Sequence, residues 1–97
     1  MALEVAWSAA ALRDRRAILK FWTEHNGSSA YSLKLYKQWE AMIRVIGLNP
    51  FIGRPTDHGE LRVKLVGVYN IFYQVNGNTL YIVRIIDGRR DLGKLRR

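Results

Sequence analysis

The sequence contains no cysteine and only two histidines, His25 and His58. Disulfides and thiolate-held metals are therefore excluded, and the imidazoles are too few for a dedicated metal cage, so neither a metal nor a cofactor is expected. Long apolar runs are missing too: no stretch approaches the roughly 20 residues of a membrane span. The opening MALEVAWSAAALRDRR lacks the charged start and apolar run of a secretory signal, which leads to the expectation of a cytoplasmic protein with no membrane partner. Phosphate-cradling glycine loops, metal-spaced His and acid clusters and G-x-S-x-G elbows are also absent, which closes the familiar routes to an enzyme. Acidic residues are scarce: eight stand against sixteen lysines and arginines, a net charge of +8. Such a surface attracts a polyanion, whether nucleic acid or an acidic protein segment.

What is present suits one small domain over residues 1–97, with 48% hydrophobic and 25% charged residues. Leu3 to Trp7 alternates as a half-buried strand does, and Ser8 offers an N-cap. From Ala9 to about His25, Leu12, Leu19 and Trp22, with Ala11, Ile18 and Phe21 beside them, form a helical stripe opposite Arg13, Arg16 and Lys20. Asn26-Gly27-Ser28 breaks this helix, and Ser28 or Ser29 can cap the next. Leu35, Trp39, Met42 and Ile46 then recur at helical spacing until Asn49-Pro50. After a loop over 51–59, Leu61, Val63 and Leu65 alternate with Arg62 and Lys64, giving a strand with one basic face. Val68 to Val75 and Thr79 to Ile86 are strands joined by the Asn76-Gly77 hairpin turn. The expected fold is α+β, in the order β-α-α-β-β-β, with a helical hairpin packed on a small, largely antiparallel sheet.

Half of the net charge sits at one end, where residues 84–97 carry six basic and two acidic side chains. Arg62 and Lys64 lie two apart on a strand and point to the same face, with Arg84, Arg89 and Arg90 nearby in the pattern. A convergent basic patch of this kind holds phosphates and stabilises the charge that develops when an RNA 2′-hydroxyl attacks its phosphodiester. The plain alternative is a solvated sheet face. Arg84, Arg89, Lys94 and Arg96 are the further candidate contacts to nucleic acid or another target. Tyr69, Tyr73 and Tyr81 can stack bases or relay protons, although aromatics at strand spacing are more often core. Tyr73 is kept as a candidate. Loop residue His58, beside Asp57 and Glu60, needs no function, and Trp7, Trp22 and Trp39 read as core anchors.

The phrases VAWSAAAL, LNPFIGRP, LRVKL, VYNIFYQV and IVRIIDGRRDLGKL, in that order and spacing, resemble the RelE/ParE superfamily of bacterial toxins over nearly the whole chain. The resemblance implies the toxin of a type II toxin–antitoxin pair, neutralised by an antitoxin that wraps its surface. One branch of that superfamily cleaves messenger RNA in the ribosome and another inhibits DNA gyrase. On the RelE-like pattern the basic pair corresponds to Arg62 and Lys64 and the arginine after the last strand to Arg90, so a metal-independent messenger endoribonuclease using Arg90, Arg62, Lys64 and Tyr73 is slightly favoured. Against it, the arginine expected just after the strand tyrosine is Asn70, and the C-terminal tyrosine falls near Arg96. The ending GRRDLGKL resembles the ParE-like tail, which implies gyrase inhibition without hydrolysis. A third reading is a basic adaptor for nucleic acid or protein, without toxicity.

Overall fold

The computed structural model of the protein describes residues 2–89. The elements run β1 (Glu4–Trp7), α1 (Ala9–Asn26), α2 (Ala30–Leu48), β2 (Arg54–Pro55), β3 (Arg62–Val66), β4 (Tyr69–Asn76) and β5 (Thr79–Asp87). The expected order holds, with a two-residue strand, β2, added inside what the sequence marks as a loop. The sheet order is β1-β5-β4-β3-β2. Its first strand lies parallel to its last, Glu4 opposite Thr79 and Trp7 opposite Ile82, and the other pairings are antiparallel.

Local chemistry sets the helix ends. Ser8 has extended backbone and its Oγ accepts from the Ala11 N–H at 2.9 Å, satisfying an orphan donor of the first turn. The same hydroxyl donates to the Val83 carbonyl at 2.8 Å, tying the start of α1 to β5. Ser8→Ala is expected to lower stability by about 1–2 kcal/mol, since it removes a cap and a sheet contact together. A urea midpoint equal to that of the unaltered protein would contradict this. At the far end Gly27 adopts the left-handed conformation, φ 69°, that stops α1. Ser29 occupies the N-cap position of α2 without a side-chain capping bond, and it is Ser28 Oγ that accepts from the Ala30 N–H, at 3.3 Å.

The helical hairpin covers one face of the sheet. Leu35, Trp39, Ile43 and Ile46 of α2 pack with Ala11 of α1 onto Tyr69, Ile71 and Tyr73 of β4 and Leu80, Ile82 and Ile85 of β5. The helices approach closely because Ser32 is small. Its Oγ donates to the Leu19 carbonyl at 2.8 Å and lies 2.6 Å from Thr23 Oγ1. In β5 the alternation breaks: Phe72 pairs with Arg84 but Tyr73 with Ile82, leaving Val83 as an extra residue. This bulge turns both Ile82 and Ile85, three apart, into the core.

Candidate functional site

Arg62 and Lys64 do share a face of the sheet, and the register shows which one. Arg62 lies opposite Tyr73 and Lys64 opposite Ile71, both core residues, so the pair stands on the helix-covered side of β3. Both are half-buried at the rim. Arg62 donates from Nη1 to the Gly53 carbonyl at 2.7 Å, and its guanidinium sits 4.9 Å from the centre of the Phe51 ring. Phe51 is itself 74% exposed, an aromatic that the hydropathy pattern gives no reason to single out.

The chain brings Arg84 to a different place. Set aside by the bulge, it grips Asp14 of α1 through Nε at 2.7 Å and Nη2 at 3.0 Å, and Asp14 also accepts from the Ile85 N–H at 3.0 Å. Asp14's hydrogen bond pushes the Arg84 guanidinium further towards its charged form. β1 covers β5 only as far as Ile82. Beyond that point Ser8 takes the Val83 carbonyl and Asp14 the Ile85 N–H, so α1 occupies two groups of an otherwise open edge. Arg62 and Lys64 are thus held on one side of β4 and Arg84 on the other. The structure does not join them into one patch.

Tyr73 is fully buried. Its hydroxyl donates to the Pro50 carbonyl at 2.7 Å and accepts from the Gly53 N–H at 2.9 Å. Burial pushes its phenol above the ordinary value of 10.0, with the Gly53 N–H and Arg62 pulling weakly the other way. A phenol so placed fastens a loop and is not positioned to move a substrate proton. Tyr69 is buried as well, accepting from Trp22 Nε1 at 2.7 Å, whereas Tyr81 is 40% exposed. His58 lies exposed in its loop. Arg89 is exposed and paired with Asp87 at 2.7 Å. Arg90, Lys94 and Arg96 lie outside the described residues.

Sequence reasoning missed a groove of about 600 Å³ between α1 and the end of β5. Ile18, Phe21, Trp22, Tyr69, Ile85 and Ile86 make its walls, and the Arg84–Asp14 and Arg89–Asp87 pairs stand at its rim. Phe21 is 54% exposed and stacks on His25. The signal was present in the adjacent aromatics Phe21 and Trp22 of α1, two neighbours that a helix cannot both turn fully into one core.

Residues 5–92 match the family described as the ParE toxin of type II toxin–antitoxin system, parDE. The chain belongs to the ParE toxin family. Among solved structures it is similar to one described as the chromosomal ParDE TA system from P. aeruginosa, at 20% identity, a TM-score of 0.76 and coverage of 89% of this chain and 96% of that one. At that identity the likeness is one of fold: two helices on a five-stranded mixed sheet. No curated protein matches. The resemblance to the wider RelE/ParE superfamily thus narrows to its ParE side, and the slight preference for messenger cleavage is replaced by the alternative, which fits a ParE toxin better. Among the described residues no helix is long and apolar enough to cross a membrane.

Proposed function

We propose that this ParE-family toxin arrests growth in the cytoplasm by binding and inhibiting DNA gyrase, without hydrolytic chemistry. The family match over residues 5–92 carries the reading. The arrangement of side chains supports it: Tyr73 has its hydroxyl committed, Asn70 is buried, and Arg62 and Arg84 are engaged on opposite sides of β4. Binding then falls to the cationic end of the sequence, where the exposed Arg89 is followed by Arg90, Lys94 and Arg96. A cognate antitoxin neutralises the toxin by seating an apolar segment in the α1–β5 groove, whose rim charges are already paired and so favour a partner that brings hydrocarbon. Acidic residues elsewhere on the antitoxin meet the +8 charge and speed association at low salt.

The test has two arms. Induced expression without a partner arrests bacterial growth, and purified toxin blocks supercoiling by purified gyrase while leaving messenger on translating ribosomes intact. New messenger ends with unaffected supercoiling would return the nuclease reading. Normal growth with soluble toxin present would leave the non-toxic adaptor.

A further inference from the structure

Residues 84–97 hold half of the net charge, and the helical hairpin holds the other half: residues 9–48 carry seven basic side chains against three acidic ones. Of those acids, Asp14 is turned to Arg84 on β5 and Glu40 lies against Tyr36. None of the seven cations has a carboxylate partner among the described residues, where the ion pairs are Arg84–Asp14 and Arg89–Asp87. Arg13, Arg16 and Lys20 recur at i, i+3 and i+7 on the exposed side of α1, turned away from Ala11, Ile18 and Trp22. Lys37 and Arg44 stand two turns apart on the exposed side of α2. The helices lie side by side, joined by Thr23 and Ser32 and by Arg15, whose guanidinium sits 4.6 Å from the centre of the Trp7 ring and 5.6 Å from that of Tyr36. Arg15, Arg16, Leu19, Lys20, Thr23 and Glu24 line a shallow depression of about 500 Å³.

Such a depression suits phosphates better than a protein. Leu19 is the one apolar residue lining it, and a protein partner needs a buried aliphatic or aromatic anchor that the depression does not supply. Unpaired cations suffice for a polyphosphate, because phosphate contacts supply the sequence-independent part of nucleic-acid affinity. A single strand would in addition stack its bases on aromatics, and the two here, Trp7 and Tyr36, are taken up by Arg15. A duplex asks for less: the row from Arg13 to Lys20 is about 10 Å long, enough to follow about three phosphates of one strand. Two helices side by side, each about 10–12 Å across, are too wide for a major groove of about 12 Å, so the face rests on the backbone and reads no bases. We propose that the outward face of the α1–α2 hairpin binds the phosphodiester backbone of duplex DNA independently of sequence. Phe21 and Trp22, which line the groove proposed for the antitoxin, project from another side of α1, so the two sites can be filled together.

This binding does not depend on the toxin's target and is measured on the purified full-length toxin alone. Fluorescence anisotropy of a short labelled duplex should show log affinity falling linearly with log salt between about 50 and 200 mM, alike for unrelated sequences. Arg16→Ala together with Lys20→Ala should make that slope shallower by about 1.8, at about 0.9 per phosphate contact, and weaken binding at least about tenfold. Both side chains are exposed, so the fold should persist. Lys37→Ala with Arg44→Ala repeats the test on the neighbouring helix and should act in the same direction. An unchanged slope in both hairpin variants would overturn the proposal, as would failure of the unaltered toxin to bind duplex at about 50 mM salt. Arg90→Ala with Lys94→Ala discharges the cationic end instead and should leave the hairpin's share of the slope in place. If it removes the salt dependence entirely, DNA is held at that end and the proposal fails. It fails too if a single strand of the same charge binds more tightly than the duplex, or if polyglutamate of matched charge displaces the duplex, which would make the face a surface for acidic protein.

Discussion

Trp39→Ala is expected to remove about 3–5 kcal/mol of stability, a large share of what a domain of this size possesses. Trp39 is 1% exposed and meets the Tyr69 ring edge-on, with centroids 5.6 Å apart, at the junction of α2 and β4. Trp39→Phe should recover more than half of the loss, for a reason beyond size. The Trp39 indole N–H is buried with no hydrogen-bond partner among the described residues, and such a group costs about 1–3 kcal/mol that a phenyl ring does not incur. Urea melts of the two variants check both statements. A phenylalanine variant as unstable as the alanine one would show that the N–H is satisfied in solution.

Gly53→Ala should destabilise by about 1–3 kcal/mol through overpacking. Its methyl would lie 2.5 Å from Tyr73 Oη, 2.7 Å from Cε1 and 2.9 Å from the Val63 carbonyl oxygen, and a carbonyl inside a sheet cannot swing away. Tyr73→Phe should cost at least as much by another route, because it strands the buried Gly53 N–H at about 1–3 kcal/mol and also leaves the part-buried Pro50 carbonyl without its donor. The double variant must be more stable than the sum predicts, since the phenol oxygen is one of the clashing atoms. A coupling of about 0.5–3 kcal/mol is expected, and strict additivity would refute the contact. Tyr73 also gives a pH signature. Its folded phenol titrates above 10.0 because of burial, while in the unfolded chain it titrates near 10. The unfolded state therefore loses its proton first. The stabilisation is complete below about pH 10 and disappears as pH rises through the higher folded value, a decline that Tyr73→Phe should flatten.

The helices and the long hairpin were legible because each carries local signals: Ser8 and Gly27 at the ends of α1, Leu35 and Trp39 at helical spacing, Asn76-Gly77 between β4 and β5. Even so Ile43, off the expected stripe, is buried at 5% exposure, since a helix lying across a sheet buries a wider arc than one seam. The site was less legible, because alternation gives a strand's two faces without saying which is covered. Arg62 and Lys64 were rightly placed together, yet their face is the one beneath the helices, where only their length brings the charges to the rim. Arg84 was displaced by a bulge at Val83 that no local pattern announces. The group that holds it, Asp14, lies 70 residues away in the chain and also accepts from the Ile85 N–H, beyond the reach of any motif.

The parallel pairing of first and last strands has a kinetic meaning. Ser8 and Val83, which hydrogen-bond across that junction, are separated by 75 residues. A ribosome adding about 5–20 residues per second needs roughly 4–15 seconds to make the intervening chain. During that interval the α1–α2 hairpin can form from its own contacts, but β1 has no strand to lie against and the closure entropy of the long loop is unmet. The sheet is thus completed only once β5 has been made, and the groove between α1 and β5 comes into being with that last pairing.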